Sequence, residues 1–289
     1  MRRRLLLVIA VAMVATSALM APMSASAADE YGSTSKWPWS GYWWPMLENG
    51  YNLYTDNGPL QKYDQYIYQT TGVMGTSQAW EKANHSTTDQ ANSWWGYCHA
   101  WSSASILAPE PQAVTRAGVS FNTNDVKGIT TALYYEPTFS WLSGVRVDDS
   151  TDKSSAAYKD IAPAWMDYLL RYYVRYYKYP FIMDVNADSQ VWNYPVFAYQ
   201  RSSTPYANGA ESVTTTVWYS SPDWNATGTK YFSKTYTYTL QPGTLGAWTG
   251  ASVSDHPDFA WVPTGKRAGA STNPRIDAAT VSAITGLAN

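Results

Sequence analysis

The chain has 289 residues, a formal net charge of -2, and 45% hydrophobic but only 15% charged residues. Charged residues usually make up about 25% of a globular domain, and with no basic excess or cluster here, electrostatic nucleic-acid binding is excluded. High hydrophobicity with low net charge also excludes a disordered chain. The first element is Met1-Arg2-Arg3-Arg4, an apolar run from Leu5 to Leu19, and small residues ending Ala25-Ser26-Ala27. A basic start, a short apolar core and a small-residue cleavage site predict a secretory signal peptide over residues 1–27. Residues 28–289 are then expected as one secreted catalytic domain. No later stretch approaches the roughly 18 apolar residues of a spanning helix, so no membrane partner is expected after cleavage.

Residues 29–60 are rich in Trp, Tyr, Gly, Pro and Asn, as in Trp37-Pro38-Trp39-Ser40-Gly41-Tyr42-Trp43-Trp44-Pro45. They read as an irregular, aromatic packing arm, with a sugar-binding surface as the alternative. Short helices are predicted over 76–84 and 98–107, the second bounded by Gly96 and Pro109. Asn124-Asp125 suits the cap of a helix reaching about residue 135. Pro163 suits the first position of a helix to about Tyr177, with Trp165, Leu169, Tyr172, Tyr173 and Tyr176 on one face. A strand is predicted from 181 to 185, after Tyr179-Pro180 ends the helix. Alternation over 212–219 and 231–240 predicts an antiparallel pair, and 278–284 a final short helix. Helices first and strands later argue an α+β fold without internal repeats.

Cys98 is the only cysteine, so no internal disulfide forms. In an exported protein, a lone thiol is either buried and inert or used. Its surroundings, Trp94-Trp95-Gly96-Tyr97-Cys98-His99-Ala100-Trp101, place it in the first turn of a buried helix. Free N–H groups and the helix dipole there stabilise a thiolate. The arrangement resembles the papain-like layout, in which a cysteine at a helix N-terminus packs against an antiparallel sheet. An amide six residues upstream in that layout helps bind the oxyanion, and Asn92 stands at that position; the indoles of Trp94 and Trp95 are alternatives.

Three histidines are available as a base. His99 is the neighbour of Cys98, and adjacent helical residues point about 100° apart. His85 lies in a polar run, Asn84-His85-Ser86-Thr87-Thr88, and reads as surface. His256, in Ser254-Asp255-His256-Pro257-Asp258-Phe259, has a carboxylate on each side. Elimination and context favour His256, with Asp258, Asp255 or the more distant Asp184 fixing its tautomer.

Three islands carry a resemblance to the transglutaminase elicitor family, known from oomycete cell-wall glycoproteins and also containing bacterial members. They are Trp95-Gly96-Tyr97-Cys98-His99-Ala100-Trp101 with Pro109-Glu110-Pro111, then Asp184-Val185 with Val191-Trp192-Asn193-Tyr194-Pro195-Val196, then His256-Pro257-Asp258-Phe259 with Trp261 and Pro263. The resemblance implies a calcium-dependent protein-glutamine gamma-glutamyltransferase with Cys98 as nucleophile and His256 plus a neighbouring Asp completing the catalytic group. It also implies protein partners with accessible Gln and Lys side chains. The oomycete fragment that plants perceive is matched at Val191, Trp192, Asn193, Pro195 and Val196. The match departs at Tyr194 and across Phe197-Ala198-Tyr199-Gln200.

The residues themselves supply only weak metal signals. Asp148-Asp149-Ser150-Thr151-Asp152 clusters carboxylates but lacks the Gly and Glu of an EF-hand loop, so calcium rests on the resemblance. One Cys and scattered His argue against zinc. Two further functions stay open. A cysteine peptidase or amidase would use the same residues, and a cell-wall or polysaccharide-binding protein would use the Trp-rich arm with Cys98 inert.

Overall fold

The protein is described here by a computed structural model covering residues 28–146, 160–266 and 272–287. In chain order it forms β1 (Ala28–Ser33), α1 (Pro59–Thr71), α2 (Ser77–His85), α3 (Cys98–Leu107), β2 (Val114–Arg116), β3 (Val119–Phe121), α4 (Thr123–Ala132) and β4 (Pro137–Gly144). There follow α5 (Pro163–Leu169), which continues as a π-helical segment Leu170–Tyr177, then β5 (Phe181–Asp184), β6 (Asn193–Pro205), β7 (Glu211–Ser220), β8 (Tyr231–Leu240), β9 (Ala247–Trp248), β10 (Phe259–Lys266) and α6 (Ala278–Thr285). The fold is α+β. Residues 1–27, the expected signal peptide, and Asp148, Asp149 and Asp152 lie outside the described residues.

Eight strands form one antiparallel sheet in the order β4-β10-β5-β6-β7-β8-β9, with β1 also paired to β6. The predicted pair β7 and β8 is in register from Glu211 opposite Leu240 to Ser220 opposite Tyr231. Strand alternation divides the sheet into two faces. Phe181, Met183, Val185, Val213 and Val217 pack on one face, against Met166, Leu169, Leu170 and Val174. Ile182, Phe259 and Trp261 point to the other face and pack on Ile106 of α3. On its far side α3 meets a helical cluster in which Tyr97 and Ala100 pack with Leu60, Val126, Ile129 and Ile284. Helix α3 is therefore a central layer, and eight of its ten residues are buried. Its serines are hydrogen-bonded within this layer: Ser102 Oγ donates across to Asn193 O of β6 at 2.8 Å and Ser103 Oγ to His99 O one turn back at 2.8 Å.

Two sequence expectations are corrected. The face proposed for the helix from Pro163 is only partly buried: Leu169 is buried and Tyr173 packs against the core, but Trp165 and Tyr176 are exposed, and the buried stripe is Met166, Leu169, Leu170 and Val174. Aliphatic groups have no polar atom to satisfy inside, whereas the tyrosine hydroxyls keep their water. Helix α4 is capped by Asn122 rather than by Asn124, with Asp125 completing the cap from inside the first turn. Asn122 Oδ1 accepts from Asp125 N at 2.9 Å, and Asp125 Oδ2 accepts from Asn122 N at 2.7 Å. This capping box satisfies two donors the helix leaves free. Asn122→Ala is expected to lower stability by about 1 kcal/mol in urea unfolding; an unchanged midpoint would remove the cap from the list of stabilising contacts.

Strand β1, helix α1, the edge strand β4 and its neighbour β10 were not legible in the sequence. The arm behind β1 buries Trp39 and Trp44, in keeping with the packing reading, while Trp37 stays exposed.

Candidate functional site

Cys98 occupies the first position of α3. The turn before it is held by a close approach. A Cβ on Gly96 would lie 2.6 Å from Trp43 O, so only glycine fits against the arm. Tyr97 N donates to the same Trp43 carbonyl, and Tyr97 is the residue that caps the helix. The thiol lies under β6: Cys98 Sγ donates to Val191 O at 3.6 Å, and Asn193 Nδ2 donates to Sγ at 3.8 Å. The Asn193 amide has a determined orientation. Its Oδ1 accepts from Trp261 Nε1 at 2.7 Å, and an indole N–H only donates, so Nδ2 must face the sulfur.

The expected thiolate is not favoured in this resting arrangement. Burial pushes the Cys98 thiol up, more than N–H donors from Asn193 and His99 pull it down, and Asp184 adds a further upward push. Asp184 pairs with Asn193 across β5 and β6 and is itself fully buried. Its Oδ1 accepts from Trp192 N at 2.9 Å, while Oδ2 has no hydrogen-bond partner. Burial pushes its carboxyl up to about 7.

Two connected hollows open at this place. One, of about 380 Å³, is lined by Cys98, His85, Trp94, Trp95 and Met46. The other, of about 430 Å³, is lined by Phe139, Trp141, Phe259, Trp261 and Glu136. His99, Tyr135, Arg146, Val191 and Asn193 line both, so the two are lobes of one groove. Their volumes suit a small ligand or an inserted side chain. His99 Nε2 donates to Tyr135 O at 2.9 Å, and burial lowers its basicity.

His256 is not joined to Cys98 by any hydrogen bond and lines a different cleft, of about 690 Å³, with Trp165 and Trp248. Its Nδ1 is 2.9 Å from Ser252 O and its Nε2 is 2.8 Å from Asp160 Oδ2. Both nitrogens face oxygen atoms in this arrangement, and neither is hydrogen-bonded to the thiol. The imidazole also stacks on Trp248, with centroids 5.1 Å apart. The physical reason lies in the chain path. Phe259 and Trp261 turn toward α3, but His256 precedes the strand and stays with the turn that ends at Val253.

The acid on His256 is Asp160, which nothing in the sequence singled out. Asp255 instead pairs with Lys234 Nζ. Asp258 is fully buried, and its backbone N–H donates to Asp184 O at 3.2 Å. Asn92, proposed for the oxyanion, turns its amide to Asp89 Oδ2 at 3.2 Å and does not line the groove. Asn193 is the amide beside the sulfur. In the sequence Asn193 stands out only as part of the elicitor-like island, through that island's resemblance. That island is built into the site rather than standing free on the surface. Val191 and Trp192 are half-buried, and Asn193 and Pro195 are buried.

Among the described residues, no group of three or more His, Cys, Asp or Glu side chains could hold a metal ion. No helix among them is long and apolar enough to cross a membrane.

The family model for transglutaminase elicitors matches residues 70–237. That span contains Cys98, Asp184 and Asn193 and ends before His256. No curated protein matches the chain. The fold is similar to the crystal structure of the GP42 transglutaminase from Phytophthora sojae, with a TM-score of 0.67 at 19% identity, covering 89% of this chain and 90% of that one.

Proposed function

Because the chain belongs to the transglutaminase elicitor family, we propose that it is an exported cysteine acyltransferase acting on protein-bound glutamine. The observation that carries this reading is the protein's one thiol, set at the start of a buried helix, beside an oriented amide donor and open to a groove. In the reaction Cys98 Sγ attacks the carboxamide carbon of a glutamine side chain. The amide N–H of Asn193 is placed to stabilise the oxyanion that forms. Ammonia leaves and a thioester remains, which a primary amine then resolves to a new amide.

The sulfur begins as a neutral thiol bonded to Val191 O, so attack requires the substrate to displace that contact and a base to take the proton. His256 serves this reading only after leaving Ser252 and Asp160, since the resting geometry holds it in another cleft. The apolar, aromatic second lobe would limit water at the thioester and so favour an amine over hydrolysis. Export rests on residues 1–27, and calcium dependence rests on the family. Full exposure of the 191–196 segment to a plant receptor would require its release from the fold, because Asn193, Pro195 and Val196 are buried.

The test uses purified protein, a fluorescent primary amine and casein, with and without calcium, against Cys98→Ala. Labelling that is lost in the variant is the expected result. Ammonia release without labelling would replace transfer by hydrolysis. No labelling and no ammonia, with a thiol that resists alkylation, would overturn the enzymatic reading in favour of wall binding.

A further inference from the structure

We propose that His85, backed by Glu81, is the general base that deprotonates the acceptor amine in the groove of Cys98. This rests on the thioester reading above and adds a residue to it. Of the three histidines, His85 is the one that lines the hollow of Cys98 and also carries a carboxylate. It closes helix α2, and Glu81 stands one turn before it on the same face. His85 Nδ1 lies 2.9 Å from Glu81 Oε1 and 2.8 Å from Tyr97 Oη. Glu81 is 1% exposed, and its other oxygen accepts from Asn273 Nδ2 at 2.9 Å. Tyr97 Oη donates to Glu81 as well.

The proton positions follow from this pattern. A carboxylate only accepts, so Nδ1 carries the hydrogen and the lone pair is on Nε2. No described residue bonds Nε2. The ring plane is held by Tyr135, stacked at 5.5 Å and 11° between planes, and by the edge of Trp80 at 5.2 Å. Tyr135 also meets His99 on the way to Cys98, with centroids 5.1 Å apart. The network therefore runs from a buried carboxylate through an oriented imidazole into the hollow that contains the sulfur.

His99 is a poorer base there. It has no carboxylate, and a proton on it would be a buried, unpaired charge. A primary amine arrives as an ammonium ion and cannot attack until it loses a proton. His85 Nε2 takes that proton, and Glu81 stabilises the imidazolium. The amine nitrogen then forms a bond to the thioester carbonyl carbon and the carbon–sulfur bond breaks. The nitrogen sheds its second proton to the leaving sulfur of Cys98 and His85 returns the first to solvent, so the products are the amide, the restored thiol and one released proton.

The test separates acylation from amine transfer. p-Nitrophenyl acetate acylates a reactive thiol with a burst of nitrophenolate, and a primary amine such as cadaverine then removes the acetyl group. His85→Gln is expected to keep the burst amplitude and to lose about 100-fold in amine-dependent turnover. Glu81→Gln is expected to lose less, and imidazole in the buffer is expected to restore part of the His85→Gln rate. Amine turnover within twofold of wild type in His85→Gln would overturn the assignment, as would loss of the burst in a folded variant. A wild-type enzyme without a Cys98-dependent burst would instead overturn the thioester reading, and this assignment with it.

Discussion

Glu110→Ala is expected to destabilise the protein by about 3–5 kcal/mol, measured by urea unfolding at pH 7. The cause is Lys127, whose side chain is 1% exposed and lies 2.7 Å from Glu110 Oε1. Lys127 Nζ also donates to Ser40 O in the arm and to Ala226 O at 2.9 Å, and it sits 5.2 Å from the centroid of Trp39. One ammonium thus ties α4 to the arm, to the Pro109-Glu110-Pro111 segment and to the loop between β7 and β8. Removing Glu110 leaves that charge buried with two carbonyl oxygens and the Trp39 ring as its direct partners. Lys127→Met is expected to cost less, because the carboxylate left behind is reachable by water and still accepts from Gly228 N at 2.9 Å. If both variants unfold within 0.5 kcal/mol of wild type, the pair does not clamp these segments.

Asp184→Asn is expected to make the protein more stable at pH 8, by at most about 4 kcal/mol for a carboxyl whose folded value is about 7 against an unfolded 3.8. The sign follows from proton counting. Between about pH 4 and pH 7 the folded state holds a proton that the unfolded state has released, so raising the pH favours unfolding. Below that window both states are protonated and the effect vanishes; above it the full cost is present. The Asn side chain mimics the neutral acid and keeps an acceptor for Trp192 N. Unfolding free energies of both proteins at pH 4, 5.5, 7 and 8 check this, and a difference that does not change with pH refutes it. Asp184 also pushes the Cys98 thiol up, so alkylation by iodoacetamide at pH 8 is expected to be faster in the variant.

Much of the fold was readable because short-range patterns decide it. Helix α3 begins at Cys98 and ends at Leu107, as the boundaries Gly96 and Pro109 suggest, and β7 and β8 follow their alternation. The face of α5 and its π-helical extension was misread because tyrosine satisfies an apolar period equally well from inside or outside. Strand β10 was missed because Phe259-Ala260-Trp261-Val262-Pro263 is buried on both faces, and such a run has no alternation to read.

The candidate site divides along the same line. The sequence by itself determined the thiol, its place at the start of a helix, and the family that the surrounding islands resemble. These are properties of residues close together in the chain. Which side chains meet the sulfur was decided by tertiary structure alone. Asn193 is brought to Cys98 across 95 residues and oriented by Trp261, Asp160 reaches His256 across 96, and His85, in a run that reads as surface, lines the groove with the buried Glu81 behind it. The carboxylate hydrogen-bonded to His256 is the distant Asp160. Neighbouring residues on an extended segment point apart, and a hydrogen bond needs its atoms within about 3 Å, a condition that only the pairing of strands and the packing of α3 on the sheet could meet.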